Sequence, residues 1–147
     1  LRIGDLVMIS HRCMFPKGTI CAVTEICSDK EFGYKKGAVS LSAINDNYDG
    51  PWGTWLCNVD GIPITPEILN KNGFNEEAVG KYYTRSIDNK KTWGLVRYLA
   101  VVREGGGWVV FIKYDGLCDQ ALLRVIRHVH ELQHILWVLG LDVELKI

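Results

Sequence analysis

His130, Glu131 and His134 form an H-E-x-x-H pattern inside the stretch HVHELQHILWVLG. On a helix, two histidines four apart present both imidazoles on one face, where they can hold zinc while the intervening glutamate activates a metal-bound water. The chemistry so specified is metal-assisted hydrolysis, with His130 and His134 as ligands and Glu131 as base. Such a site needs a third ligand. The residues after His134 contain no His, and the acids Asp142 and Glu144 stand beyond a helix stop at Gly140. The metzincin continuation, with Gly and a third His, is absent because His134 runs into ILWVLGLDVELKI. If Val129, Leu132 and Leu136 face the core, then at about 100° per residue His130 and His134 fall about 100° and 140° round from Val129, and Glu131 about 200°. That places the motif on a polar flank away from a cleft. The sequence therefore favours a helix surface over a metal site, with no cofactor, and keeps the zinc hydrolase as the alternative.

Other chemistry-bearing residues are weaker. His11 and Cys13, with Cys21 and Cys27 further on, fit no common zinc-ligand spacing, and a cysteine within TICAVTEIC reads as a small buried hydrophobe. EGGGW lacks the Lys-Ser/Thr of a phosphate cradle and reads as a hairpin turn. No nucleophile elbow is present. The aromatic stretch NDNYDGPWGTW offers Tyr48, Trp52 and Trp55 as a candidate binding surface, whose rings can stack on a base, a sugar or a partner side chain. The competing reading is that both Trp residues cap the sheet as part of the core.

The elements that position these residues follow from local patterns. LRIGDLVMIS, KGTICAVTEIC and FGYKKGAVSLSAIND are short apolar segments broken by turn residues, which predicts a small, bent, SH3-like antiparallel sheet over residues 1–60. The stretch 45–55 is expected to be a long loop leading into a strand at WLCNV. In GIPITPEILNKNGF, Thr65 is a natural N-cap, Pro66 suits the first helical position, Glu67 favours the positive end, and Gly73 can close the helix in the left-handed region. Ile68, Leu69 and Phe74 would anchor it. KYYTRSI, TWGLVRYLAVVRE and WVVFIKYDG then read as a meander. After Gly116 the spacing of Leu122, Val125, Ile126, Val129, Leu132, Leu136 and Leu139 predicts a long C-terminal helix, closed by Gly140 and followed by a final strand, LDVELKI. The expected class is α+β, with a β subdomain over 1–60 and a meander with C-terminal helix and closing strand over 61–147.

Composition narrows the function. The chain has 17 Lys and Arg against 17 Asp and Glu, so it lacks the basic footprint of a nucleic-acid binder. Five cysteines without a C-x-x-C pair read as reduced thiols in a cytoplasmic protein. Apolar runs such as LAVV and WVVFI are too short to cross a bilayer.

Three blocks, LRIGDLV at the start, PITPEILNKNGF in the middle and HVHELQHILWVLG running into LDVELKI at the end, resemble a family of small uncharacterised proteins of Bacteroides-type gut bacteria and their phages or prophages. That family shows an LRIGN start, a PIPLTEEILLKLGF middle and a HxLQNLYFALTGxEL end. Arg2, Ile3 and Gly4 match the first block. Pro63, Ile64, Thr65, Glu67, Ile68, Leu69, Gly73 and Phe74 match the second, and His130, Leu132, Gln133, Leu136, Leu139 and Glu144 the third. His134 departs from the family, which commonly has Asn there, so the zinc motif arises at a position the resemblance does not require. The resemblance carries no established activity and implies a non-catalytic accessory protein of mobile elements. With balanced charge, the expected partner is a protein, or a second copy of the chain through an exposed sheet edge, ahead of nucleic acid.

Overall fold

Gly4, at φ +90°, turns the chain into the first strand, and Ala38–Ala43 further on alternates half-buried with buried positions, as a strand of a sheet with one buried face does. The computed structural model describes residues 1–11, 13–27, 37–44, 51–87, 97–114, 120–141 and 145–147, in two compact units, Leu1–Ile62 and Pro63–Ile147. The first unit contains β1 (Leu6–Ile9), β2 (Ile20–Cys27), β3 (Ala38–Ala43), β4 (Trp52–Trp55), a 3₁₀ turn (Leu56–Asn58) and β5 (Val59–Gly61). They form one antiparallel sheet in the order β4-β3-β2-β1-β5. Val7, Ile9, Phe15, Cys21, Val23, Val39 and Leu41 make its core. The strand expected at WLCNV falls earlier, on Trp52–Trp55, and Leu56–Asn58 is a 3₁₀ turn.

The second unit starts with α1 (Pro66–Lys71), formed as its local chemistry dictates. The Thr65 hydroxyl accepts from the Ile68 amide at 3.3 Å, Pro66 opens the helix, and Gly73 adopts φ +76° so that the Phe74 amide can reach back to the Leu69 carbonyl. Five antiparallel strands follow: β6 (Asn75–Ala78), β7 (Tyr82–Ser86), β8 (Arg97–Glu104), β9 (Gly107–Tyr114) and β10 (Gln120–Ile126), in sequential order across the sheet. α2 (Val129–Val138) ends the element order. Register fixes the faces. Tyr83 lies opposite Val101, and Val101 opposite Val110, all fully buried on the inner face. Leu99, Trp108 and Ile126 are buried on the same side, and Ile68, Leu69 and Phe74 around α1 and Val129, Leu132 and Leu136 of α2 are buried core residues of this unit. The Trp108 indole N–H donates to the Ile64 carbonyl at 3.1 Å, and its ring meets Tyr83 edge-on at 5.7 Å.

The class is α+β, with mostly antiparallel sheet, one short helix and one C-terminal helix. Three local expectations are corrected. The long helix begins only at Val129, because residues 120–126 are β10. A bulge between Leu122 and Arg124 inserts one residue, so that Leu122 (opposite Phe111) and Val125 (opposite Val109) share a face. A spacing of three that reads as helical is in fact a bulged strand. β6 was not expected, since NEEA is exposed throughout and carries no apolar alternation. The closing strand falls partly on residues 142–144, outside the described residues, and 145–147 form none. Instead the Asn72 carboxamide binds the Lys146 main chain on both sides, accepting from its N–H at 2.8 Å and donating to its carbonyl at 2.7 Å. Among the described residues, no helix is long and apolar enough to cross a membrane.

Candidate functional site

α2 carries the H-E-x-x-H residues, and its first turn decides what they can do. His128 occupies the N-cap and Glu131 the third helical position, so the glutamate side chain can fold back over the free amides of the helix start. It does so: Glu131 Oε2 accepts from the Arg127 amide at 2.8 Å and from the His128 amide at 3.0 Å. Its Oε1 lies 3.5 Å from the Arg124 guanidinium of β10, and Oε2 lies 3.5 Å from His128 Nδ1. Burial pushes the Glu131 carboxyl upward, but the two main-chain amides, His128 and Arg124 outweigh it and hold the group below its usual range. The carboxylate is thereby committed as an anion to the helix start. A general base must instead reach a water between the two ligands.

The histidines form a row. The rings of His128 and His130 stack with centroids 5.6 Å apart and planes 5° from parallel, and those of His130 and His134 meet edge-on at 6.0 Å. His130 and His134 are thus brought together as the i, i+4 spacing requires, with both rings half-buried. His128 joins them, which the five-letter motif could not indicate because it lies two residues upstream. Asp142 and Glu144 lie outside the described residues. Among the described residues, no group of three or more His, Cys, Asp or Glu side chains comes together in a way that could hold a metal ion.

The other sequence candidates are dispersed. Cys21 is a fully buried member of the first unit's core, and Cys13 packs against that core. His11 bonds the neighbouring Ser10 hydroxyl at 3.1 Å. Tyr48 lies outside the described residues. Trp52 and Trp55 are both on β4 and are 39% and 37% exposed, but three steps along a strand put them on opposite faces. Trp52 stands opposite Leu41, whose side the buried Thr54 also shares, whereas Trp55 stands opposite Ala38 on the other side. Partly exposed ring surface is present on both, but the two rings do not form one platform.

A further exposed region had no motif to announce it. On β10, Leu122, Leu123 and Val125 are 68%, 39% and 55% exposed, and β10 ends the sheet order with β9 as its sheet neighbour. Comparison of the chain with protein-family models, with curated proteins and with solved structures finds no match in any of the three.

Proposed function

We propose that the protein acts by binding and not by catalysis, its partner being a protein, in the simplest case a second copy of the chain, engaged through β10 and the adjoining outward face of the second sheet. One observation carries this reading. A strand at the end of the sheet order exposes Leu122 and Val125 side by side, next to the half-buried Phe111 and Val109. Edge strands that must stay unpaired usually carry charge or proline at such places. The one charged residue of β10, Arg124, is turned to Glu131. Covering Leu122, Leu123 and Val125, 39–68% exposed, is worth for each a fraction of the roughly 1.5–3 kcal/mol gained by burying a fully exposed side chain. The bulge interrupts the strand, so side-chain burial contributes more to such a contact than a continuous ladder would.

Several features support the rest of the reading. The strand order β4-β3-β2-β1-β5, with a 3₁₀ turn joining β4 to β5, supports an SH3-like barrel for the first unit. The capping duty of Glu131 counts against the hydrolase alternative, and equal numbers of acids and bases count against a polyanion partner. A cytoplasmic setting rests on the cysteine pattern, and a phage or mobile-element association on the sequence resemblance.

Light scattering coupled to size exclusion, over a range of concentrations, tests the proposal with the double variant Leu122→Lys, Val125→Lys. A concentration-dependent dimer in the wild type that the variant loses, at unchanged melting temperature, is the expected result. A wild type that stays monomeric, and that retains no host protein which the variant releases, rules the reading out.

A further inference from the structure

The outward face of the second sheet holds a cavity of about 240 Å³ lined by Glu77, Tyr82, Thr84, Tyr98 and Lys113. Its construction follows from strand register. Tyr82 and Thr84 stand two apart on β7, Tyr98 lies on β8, and Lys113 is the direct cross-strand partner of Tyr98 on β9. A bulge between Glu76 and Ala78 inserts Glu77 as an extra residue on β6. Bulges re-aim side chains, and Glu77 turns to the same face, where its Oε1 accepts from the Thr84 hydroxyl at 2.7 Å. That hydroxyl belongs to a residue only 8% exposed, so the carboxylate is held from below.

The groups around the cavity have hydrogen-bonding capacity that the described protein residues do not use. Among the described residues, no side-chain partner is present for the Tyr82 and Tyr98 hydroxyls or the Lys113 ammonium, and Glu77 and Lys113, of opposite charge on one cavity, do not pair with each other. Both tyrosines and Lys113 are half-buried, so a ligand entering the cavity would displace water from groups already part-way out of solvent.

We infer that this cavity is a binding site for a small zwitterion, a free α-amino acid being the simplest, with its ammonium group on Glu77 and its carboxylate on Lys113. The charge arrangement selects this class. An anion alone would meet Lys113 but face Glu77, a cation alone would do the reverse, and a neutral polyol would leave both charges uncompensated. A zwitterion satisfies both with charge-assisted bonds. The two phenols can donate to the carboxylate, and their ring faces can flank the ammonium group or an apolar side chain. The volume lies below the roughly 300 Å³ at which pockets for drug-sized ligands begin, which suits a single metabolite.

Isothermal titration calorimetry of the full chain with glycine, leucine and phenylalanine tests the inference. 3-Methylbutylamine and 4-methylpentanoate serve as the leucine analogues lacking one charge each, and glucose as the neutral probe. Saturable binding of at least one amino acid is expected, with each single-charge analogue weaker by about tenfold or more, as loss of one charge-assisted bond implies. Glu77→Gln and Lys113→Met should each weaken the amino acid by a similar factor while the melting temperature stays put. Absence of saturable binding at millimolar amino acid overturns the inference. So does equal binding of the amine or the acid, or binding of glucose in preference to the zwitterions. The analogue series reads the wild-type protein alone, so the result does not depend on the variants folding.

Discussion

The carboxylate of Glu131 receives the main-chain amide of His128 at 3.0 Å, three residues back along the chain. With the Arg127 amide at 2.8 Å, this satisfies donors that a helix start otherwise leaves open, and it turns the glutamate of a protease-like motif into a cap.

Glu131→Ala is therefore expected to destabilise the protein by about 1 kcal/mol, the usual worth of a capping interaction. The carboxyl is held below its ordinary value of 4.5 in the folded chain. Its contribution is fully present above that value and is lost as pH falls through the lowered folded one. Urea midpoints of wild type and variant should keep a constant separation around neutrality and converge only in acid. A separation that persists at the lowest accessible pH would show that the cap is not electrostatic.

His134→Asn removes a half-buried ring that meets His130 edge-on, and should cost no more than about 1 kcal/mol of stability. Metal analysis of protein purified without added zinc should find no stoichiometric ion that the substitution removes. Near-equimolar zinc, lost in the variant, would restore the hydrolase reading despite the engaged Glu131.

Asn72 is 7% exposed, and its side chain bonds the Ile68 carbonyl at 2.7 Å and both main-chain polar groups of Lys146. Asn72→Ala leaves those groups to find other partners and should cost about 1–3 kcal/mol. Hydrogen exchange offers the sharper measurement. The Lys146 amide should lose its protection in the variant while amides of β8 and β9 keep theirs. Retained protection at Lys146 would mean that something other than Asn72 holds the terminal segment.

How much of this was legible depended on whether the signal was local. The α1 segment could be read in full, because Thr65, Pro66 and Gly73 act within a few residues of one another. The buried alternation of Val39 and Leu41 on β3 was equally plain. β10 was misread because its bulge gives Leu122 and Val125 a common face at helical spacing, and β6 was missed because exposed NEEA has no pattern to find. For the H-E-x-x-H residues, the sequence gives the proximity of the two rings, whereas the direction of the Glu131 carboxylate depends on where the helix begins. The cavity at Glu77 and Lys113 required the registers of β6 to β9, which pair residues far apart in the chain.

Arg85 is half-buried on the inner face, its guanidinium 5.8 Å over the Phe74 ring, with Nη1 buried and without a hydrogen-bond partner. Burial lowers its pKa, which marks a charge held where water is scarce. Arg85→Met keeps a long side chain against Phe74 and removes the unsatisfied donor. Replacing such a group by an apolar one of similar shape is neutral or favourable, so the melting temperature should hold or rise. A clear fall would show that the ring contact is worth more than the buried donor costs.

Tyr83 is fully buried beside Trp108, and its hydroxyl donates to Glu76 at 2.7 Å. Burial first, and the bonded carboxylate second, push its pKa from 10.0 up to about 12. In the unfolded chain the phenol ionises at the ordinary value, so the stability that this group contributes is complete below pH 10.0 and is lost as pH rises toward about 12. Alkaline unfolding curves of wild type and Tyr83→Phe should therefore be offset near neutrality, by about 1 kcal/mol for the lost hydrogen bond, and should close on each other above pH 10.0. Because the chain has six tyrosines, the absorbance change assigned to Tyr83 must come from subtracting the variant's titration from that of the wild type. The subtracted curve should rise only as the fold gives way. A phenolate signal at ordinary pH in a protein that is still folded would mean that the hydroxyl is open to solvent and not held against Glu76.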